Sequence, residues 1–377
     1  MARFFRGLIR WSRWVVTLIL LVLFTESCGP SEDVPPEGSA IRILTGMMEV
    51  PGGQLYYEEA GSGEAVLLVH GNTGDRRHWD LQFEGLARTH RVIRYDLRGF
   101  GASTVPAEGV RFTNHGDAAT LLDGLGIRRA HVAGWSLGSA IAIDFAMAFP
   151  ERTLSLMVVG PWIMGYDSPG AQEMFQGMGQ VAMAMAEEGS KAAVEALMNS
   201  AFMTRTIQKP AAGDRFRAIA EDYSFWGFVN PSSQMVLDPP ALGRTHEIRA
   251  PTLIVAGEFD VPACMEIGEF MDETIPDSRM VVMPGTGHLM LMEQPEVFSE
   301  ILIGFLDQHS GREASFSPTL VGESLYFDQP EPGRILCHHR SQPWPETKDR
   351  KKRGSPIKGP VKRKNTSPCK KTIPFFT

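Results

Sequence analysis

A serine between two glycines is the side chain of this sequence best suited to act as a nucleophile. It is Ser136, within Gly134-Trp135-Ser136-Leu137-Gly138. A strand-like run precedes this segment and a small-residue, helix-favouring run follows it, which predicts a strand, a sharp turn and a helix. Such a turn strains the backbone, exposes the serine hydroxyl and needs glycines where a Cβ would collide with neighbouring elements. The predicted chemistry is attack by Ser136 on a carbonyl carbon.

The start of the predicted helix offers a place for the negative charge that such an attack creates. Leu137 directly follows Ser136. The first N–H groups of a helix lack partners within the helix, and the positive end of its dipole lies beside them. Both stabilise a developing oxyanion. The backbone N–H of Leu137 is therefore the first predicted donor of an oxyanion hole.

The serine needs a base that is neutral near pH 7, and histidine meets that requirement. Of ten histidines, His288 follows the last predicted strand in the loop Pro284-Gly285-Thr286-Gly287-His288, from which its ring can reach the sheet's C-terminal edge. His70 ends another strand beside Gly71, and we interpret it as shaping a backbone pocket there. His131 begins the strand that leads to the serine, so it lies at the far end of the sheet. His288 is the predicted base.

A carboxylate must fix the tautomer of that base and stabilise the imidazolium. Asp260 ends the strand before that of His288, within Gly257-Glu258-Phe259-Asp260. Glu258 is the nearest alternative, but it lies two residues earlier, where the chain is still leaving the strand. The predicted catalytic residues therefore follow the chain order Ser136, Asp260, His288, which is the order of an α/β-hydrolase triad.

The elements around these residues alternate between strand and helix, which predicts βαβ units and a doubly wound, mostly parallel sheet in the α/β class. The run at residues 65–69 is continuously apolar, as expected of a strand covered on both faces. Helices are predicted at about 79–87, at a segment ending near 125–127, after Ser136, and at about 296–308. Further strands are predicted within 41–59 and at 91–96, 131–135, 154–160, 251–257 and 279–283.

Residues 161–244 interrupt this alternation. The segment is rich in methionine and alanine and has no strand-like run, so we expect an inserted helical cap over the ligand end of the sheet. The hydrolase core would then comprise residues 41–160 and 245–309. We interpret the methionines as contacts between cap helices; the alternative is that these adaptable side chains line an apolar pocket.

Between about Val50 and Gln308 the sequence resembles α/β-hydrolase-fold enzymes of the lactonase and carboxylesterase type. The segments that carry the resemblance are His70-Gly71-Asn72, Asp96-Leu97-Arg98-Gly99-Phe100-Gly101-Ala102-Ser103, the glycine-flanked serine, Gly257-Glu258-Phe259-Asp260 and Gly287-His288. The resemblance implies a small-molecule ester or lactone substrate and no cofactor. It also implies that the backbone N–H of Asn72 is the second donor of the oxyanion hole.

Other residues of these segments have structural interpretations. Asp96 and Arg98 are expected to hold a tight loop. Trp135 packs beneath the turn or borders the substrate pocket, and Gly71 and Trp135 are the candidate pocket residues. Ser139 stands where relatives often have glycine, and we expect only a local change of packing there.

A serine nucleophile argues against haloalkane dehalogenases and most epoxide hydrolases of this fold, whose nucleophile is aspartate. Carbon–carbon bond hydrolases and cofactor-free perhydrolases share the serine triad and remain alternatives. A non-catalytic binding protein of the same fold is the contrasting class; such proteins usually lose a triad residue, and none is missing here.

Residues 1–28 have the pattern of an export signal, with arginines ahead of the apolar run 14–24. Cys28 resembles the lipid acceptor of a bacterial lipoprotein signal, and residues 29–40 suit a linker. Thr25 and Glu26 depart from the usual residues of such a signal. The alternatives are a lipid anchor at Cys28, an uncleaved signal anchor, and simple secretion. We expect an exported, membrane-anchored protein on the periplasmic or cell-surface side.

Residues 310–377 form a basic tail without periodicity, for which we expect disorder. The tail carries 14 Lys or Arg against six Asp or Glu, in a chain of net charge −7. The rest of the chain is therefore acidic, and no nucleic-acid partner is expected. The four cysteines show no metal-ligand spacing, so no metal site is expected.

Overall fold

The computed structural model describes residues 40–311 and the backbone of residues 336 and 337. The predicted signal, the linker up to residue 39, Cys28 and the rest of the basic tail lie outside the described residues. Within the described part of the chain, no helix has the length and apolar character needed to cross a bilayer.

The centre of the fold is a mixed sheet of nine strands in the order β1-β2-β4-β3-β6-β7-β9-β10-β11, and β5 and β8 form a separate pair. The strands are β1 (Ile43–Val50), β2 (Gly53–Ala60), β3 (Ala65–Val69), β4 (Arg91–Tyr95), β5 (Phe112–Thr113), β6 (Ala130–Trp135), β7 (Thr153–Val159), β8 (Gln234–Met235), β9 (Thr252–Gly257), β10 (Ser278–Met283) and β11 (Leu336–Cys337).

Helices connect and cover these strands. They are α1 (Asp80–Ala87), α2 (Asn114–Gly124), α3 (Leu137–Ala148), α4 (Pro169–Glu188), α5 (Ser190–Met198), α6 (Pro210–Glu221), α7 (Trp226–Val229), α8 (Pro262–Thr274), α9 (Met290–Glu293) and α10 (Pro295–His309). The central strands are buried, including all five residues of β3 and all six of β6. This explains why β3 reads as a continuous apolar run rather than an alternating one.

The register of the parallel strands brings several loops to one edge of the sheet. Val69 at the end of β3 pairs with Tyr95 of β4 on one side and Gly134 of β6 on the other. Trp135 pairs with Val159, the last residue of β7. The segments that follow β3, β4, β6 and β7 therefore begin side by side, and they include three of the motifs identified from sequence.

The loop after β4 is held by buried charges. Asp96 accepts the N–H of Ala102 at 2.8 Å and a hydrogen bond from the guanidinium of Arg76 at 2.9 Å. Arg98 forms an ion pair of 2.5 Å with Asp117, and both side chains are buried. Asp96 and Arg98 therefore make the contacts expected of residues that hold this loop in place.

The first strand-like region contains a turn that the alternating pattern does not reveal. Instead of one continuous strand, β1 and β2 form an antiparallel hairpin in which Val50 pairs with Gly53. Gly52 occupies the left-handed region with φ +82°, a conformation that favours glycine. The pair Pro51-Gly52 is the local signal for this turn.

The segment expected to be a cap contains helices α4 to α7, which lie between β7 and β9 in the chain. It is not purely helical, because β8 pairs in parallel with β5 through Phe112 and Gln234. The side chain of Asn114 also donates to Gln234 at 2.8 Å. These contacts attach the end of the segment to β5 and the start of α2. The pairing involves only two residues on each strand, which is too few to give a recognisable pattern in the sequence.

The tail departs from the expected disorder at one point. Leu336 and Cys337 form β11, which pairs antiparallel with Val282 and Val281 of β10. Strand β10 would otherwise be an edge strand, and an edge strand offers unpaired backbone groups to any extended segment.

We predict that Gly134→Ala destabilises the fold by about 3 kcal/mol or more, because no room exists for the added carbon. A Cβ at Gly134 would overlap the backbone carbonyl of Gly138, which cannot move without displacing α3. The measurement is the free energy of unfolding in urea.

Gly85→Ala is the matched control. Gly85 lies in α1, and nothing lies within 4 Å of the position its Cβ would take. Alanine there should stabilise the protein by up to about 1 kcal/mol. Equal effects of the two substitutions would contradict the close packing inferred at Gly134.

Candidate active site

Ser136 lies at a strained turn between β6 and α3. Its φ and ψ are 55° and −118°, a conformation that side-chain-bearing residues rarely adopt. The turn is held by the Ser136 N–H, which donates to the carbonyl of Val159 at 2.8 Å. Gly138 is also required, because a Cβ there would overlap the carbonyl of Val69. The hydroxyl is thereby presented at the C-terminal edge of the sheet.

Three predicted residues meet at this edge in one line of hydrogen bonds. His288 Nε2 lies 3.0 Å from Ser136 Oγ. His288 Nδ1 lies 2.9 Å from Asp260 Oδ1. In the tautomer that this arrangement favours, Nδ1–H donates to the carboxylate and Nε2 accepts the serine proton. The side chains of His288 and Asp260 are 5% and 0% exposed, so bulk water does not compete for these bonds.

Asp260 is oriented by its own backbone surroundings. Its Oδ1 also accepts the N–H of Val261 at 2.7 Å. The alternative carboxylate, Glu258, is exposed and accepts the N–H of Gly285 at 2.8 Å. Glu258 therefore supports the loop that carries His288, whereas Asp260 contacts the imidazole itself.

The two predicted oxyanion donors belong to segments that adjoin Ser136. Leu137 is the first residue of α3. Asn72 follows Gly71, and a Cβ at Gly71 would lie 3.2 Å from the Cβ of Ser136. The chain therefore passes directly beside Ser136 at Gly71, one residue before Asn72.

His70 and His78 are buried near this segment, with their ring centroids 6.0 Å apart. His70 Nε2 accepts the N–H of Leu97 at 2.9 Å, and its Nδ1 lies 2.7 Å from the carbonyl of Gly71. Burial lowers the pKa of His70, and it lowers the pKa of His78 to about 3. His70 thus holds the loops after β3 and β4 together, in agreement with its interpretation as a residue that shapes the backbone.

Of the two interpretations of Trp135, the structure favours packing beneath the turn. Its side chain is buried, and Nε1 donates to the backbone carbonyl of His288 at 2.9 Å. A Cβ at Gly71 would lie 2.6 Å from its ring. Trp135 and Gly71 therefore pack behind Ser136 and the backbone of His288.

Two contacts of the His288 imidazole were not predicted from the sequence. Gly160, at φ 54°, directly follows β7, and a Cβ there would lie 2.9 Å from His288 Cε1. A glycine directly after a buried strand could have indicated this close approach. Phe202, from the segment expected to be a cap, places its ring centroid 4.7 Å from that of His288. Pairing across the fold, rather than local pattern, creates both contacts.

Ser139 does more than the expected local change of packing. Its hydroxyl donates to the carbonyl of Ser136 at 2.6 Å and accepts the N–H of Trp162 at 2.8 Å. A glycine could make neither bond. The hydroxyl therefore ties the strained turn to the chain that leads from β7 toward α4.

Cys264 is the third residue of a compact set with Asp260 and His288, whose donor atoms lie within 4.8 Å of one another. Thiol, imidazole and carboxylate are metal-binding groups. Here the imidazole Nδ1 already meets the carboxylate, and burial, followed by the charge of Asp260, raises the pKa of the Cys264 thiol. The protonated thiol is a poor metal ligand, and the arrangement fits the serine relay better than a metal centre.

Residues 66–301 match a model of the alpha/beta hydrolase family. The chain belongs to this family. The match and the structural neighbours confirm the fold class and the resemblance that the motifs indicated. The family model also covers all three residues of the hydrogen-bonded line and both predicted oxyanion donors.

Among its relatives, this hydrolase is 30% identical to a proposed carbamate hydrolase, RutD, of Azorhizobium caulinodans, over 67% of the chain and 94% of the relative. It is 28% identical to 3-oxoadipate enol-lactonase 1 of Acinetobacter baylyi, over 65% of the chain and 90% of the relative. A solved structure of a thermophilic esterase from Thermogutta terrifontis is 30% identical, with a TM-score of 0.61; the match covers 71% of the chain and 99% of the esterase.

We predict that Asp260→Asn lowers kcat for ester hydrolysis by about 10⁴-fold, because an amide at this place favours the wrong tautomer of the imidazole. The measurement is the steady-state hydrolysis of p-nitrophenyl acetate. Glu258→Gln is the control, since this side chain meets the loop and not the imidazole. A loss of comparable size in both variants would assign the effect to the loop rather than to the carboxylate at His288.

Proposed function

We propose that this protein is a serine hydrolase that cleaves an ester or lactone of a small, apolar molecule. The observation that carries the proposal is the line of hydrogen bonds from Ser136 Oγ through His288 to Asp260, at 3.0 and 2.9 Å. Its position beside the first N–H groups of α3 adds the charge stabilisation that acyl transfer requires.

The reaction proceeds in two halves. His288 Nε2 takes the proton of Ser136 Oγ as the oxygen attacks the carbonyl carbon, and the oxyanion is held by the N–H groups of Leu137 and Asn72. The imidazolium then gives its proton to the leaving alkoxide, which departs as the alcohol and leaves an acyl-enzyme. Water, deprotonated by His288, attacks the acyl carbon, and Ser136 recovers its proton as the acid leaves.

Aromatic side chains near the site support an apolar substrate. Phe202 packs against the ring of His288. Beside Asn72, a Cβ at Gly227 would lie 2.7 Å from the ring of Phe100 and 2.8 Å from Asn72 Oδ1. Tyr223 stacks on Phe100 with ring centroids 5.0 Å apart. These aromatic rings favour an uncharged acyl group.

The relatives of this chain are named for the cleavage of different bonds. A carbamate, an enol-lactone and an ester each present a carbonyl carbon to the nucleophile, and the same serine relay serves all three. A carbon–carbon bond hydrolase or a perhydrolase of this fold is the second candidate. A non-catalytic binding protein is disfavoured by the complete line of hydrogen bonds.

A substrate series tests the proposal. We expect the chain to hydrolyse p-nitrophenyl esters from acetate to long acyl chains, with an optimum that reports the size of the acyl site. Ser136→Ala should lower kcat by about 10⁴-fold or more, because the attacking oxygen is removed.

A fluorophosphonate probe provides the complementary test. It should label the unaltered protein and leave Ser136→Ala unlabelled. Labelling without hydrolysis of any ester or lactone would move the assignment to the carbon–carbon hydrolase or perhydrolase alternatives. A folded protein that is neither labelled nor active would favour the non-catalytic class.

We also propose that the protein is exported and held at a membrane by its N-terminal segment, through lipid on Cys28. The arginines ahead of the apolar run 14–24, and the cysteine that follows it, support the proposal.

Fractionation of bacterial cells that express the full chain tests this localisation. We expect the protein in the membrane fraction, labelled by a clickable fatty acid, and we expect Cys28→Ser to abolish the label because no acceptor thiol remains. Membrane retention of the unaltered chain without label would indicate an uncleaved signal anchor, and release into the periplasm would indicate simple secretion. Activity confined to the cytosol would contradict export.

A further inference from the structure

One buried carboxylate contacts both the loop of the base and the segment expected to be a cap. Glu293, the last residue of α9, is 8% exposed. Its Oε2 accepts the N–H of Gly287 at 2.7 Å, and its Oε1 accepts the hydroxyl of Thr206 at 2.6 Å. Gly287 directly precedes His288, and Thr206 is fully buried. A single side chain thus bridges two parts of the chain that are distant in sequence.

We propose that Glu293 is a positioning residue for the base, and that Thr206 is its partner in the cap. The pair makes the orientation of His288 depend on the seating of residues 202–209 over the site. The proposal rests on the proposed function, because it assigns a task to His288 as the base.

The bond to Gly287 fixes the peptide group next to the catalytic ring. Other bonds hold the ends of this loop: Gln294 donates to the carbonyl of Pro284 at 2.9 Å, and Trp135 donates to the carbonyl of His288. Neither bond involves the peptide between Thr286 and Gly287. Its carbonyl accepts the N–H of Phe259 at 2.8 Å, and Glu293 accepts its N–H. Because that peptide sets the direction in which the chain enters His288, its rotation would move the imidazole relative to Ser136.

The cap side of the contact is equally close. A Cβ at Gly287 would lie 2.7 Å from the Cβ of Arg205, so these two segments are in contact. Arg205 donates to the carbonyl of Gly285 at 3.2 Å, and Phe202 packs on the His288 ring. Residues 202–206 therefore contact both the ring of His288 and the backbone of its loop, and Glu293 adds a buried hydrogen-bonded link between the two segments.

Removing either half leaves an unsatisfied group. Without Thr206 Oγ1, one oxygen of a buried carboxylate loses its donor. Without Glu293, the buried N–H of Gly287 has no acceptor, and such groups are costly to leave unpaired. We expect the loop to rotate so that the unpaired group finds another hydrogen-bond partner. A displacement of about 1 Å at a catalytic group can lower the rate about 100-fold.

Four variants of the full chain test the proposal: Thr206→Val, Thr206→Ser, Glu293→Ala and the double variant Thr206→Val/Glu293→Ala. On p-nitrophenyl acetate we expect kcat to fall about 10-fold in Thr206→Val and about 100-fold in Glu293→Ala, with KM changed less than about 3-fold. Serine should restore the rate because it retains the hydroxyl. The double variant should be no slower than Glu293→Ala, since both changes break one connection.

Ser155→Ala is the matched control for general destabilisation. Its hydroxyl lies 2.8 Å from Nδ1 of His131, and both side chains are fully buried. His131 is near the start of β6, at the opposite edge of the sheet from Ser136. This variant loses a buried hydrogen bond without touching His288, so its kcat should stay within about 2-fold of the unaltered protein.

A proton NMR readout separates the proposal from the proposed function. The Nδ1–H of His288, donated to Asp260, should give a downfield resonance that is absent in His288→Ala. We expect this resonance to shift or broaden in Thr206→Val and Glu293→Ala and to persist in Thr206→Ser and Ser155→Ala. An unchanged resonance and unchanged kcat in folded Glu293→Ala, or losses matched by Ser155→Ala, would overturn the proposal. Failure of the unaltered chain to hydrolyse esters would count against the proposed function. The resonance would still report whether Glu293 and Thr206 position His288.

Discussion

The close approach of backbone segments at the C-terminal edge of the parallel sheet is the constraint on which the site depends. Because the parallel strands are in register, the loops that follow them begin at the same edge of the sheet. The backbones of these loops can touch only where no side chain lies between them. A Cβ at Gly257 would overlap the carbonyl of Gly287, just as one at Gly138 would overlap that of Val69. Glycine at these positions lets the loops that carry His288 and Ser136 come close enough for the hydrogen bond between their side chains.

Local pattern revealed much of this arrangement in the sequence. The alternation of strand and helix predicted the parallel sheet, and closing helix α10 lies within one residue of its predicted bounds at each end. Ser136 was identifiable because strand, glycine and helix signals occur together around it. Asp260 was separable from Glu258 by counting residues from the end of β9, since two residues decide whether a side chain leaves the strand or lies in the loop beyond it.

Contacts between distant segments were not predictable in this way. Ser139 has a recognisable role only when Trp162 is known to lie beside it, and the same holds for Glu293 with Thr206. The pairing of β5 with β8 involves two residues on each strand, too few for a periodicity to emerge. Side-chain hydrogen bonds of this kind depend on which distant segments of the chain lie side by side. That proximity results from the whole fold and leaves no local pattern in the sequence.

The position of the inserted helices bears on how substrate preference could diverge in proteins of this architecture. The insertion leaves the sheet after β7, beside Gly160, and returns before β9, so a different insertion could replace it without altering any central strand. Yet Phe202 and Thr206 lie within the exchanged segment and touch the histidine loop. A segment that replaced it would therefore need side chains that match residues 287–293, so the two parts of the chain cannot change independently of each other.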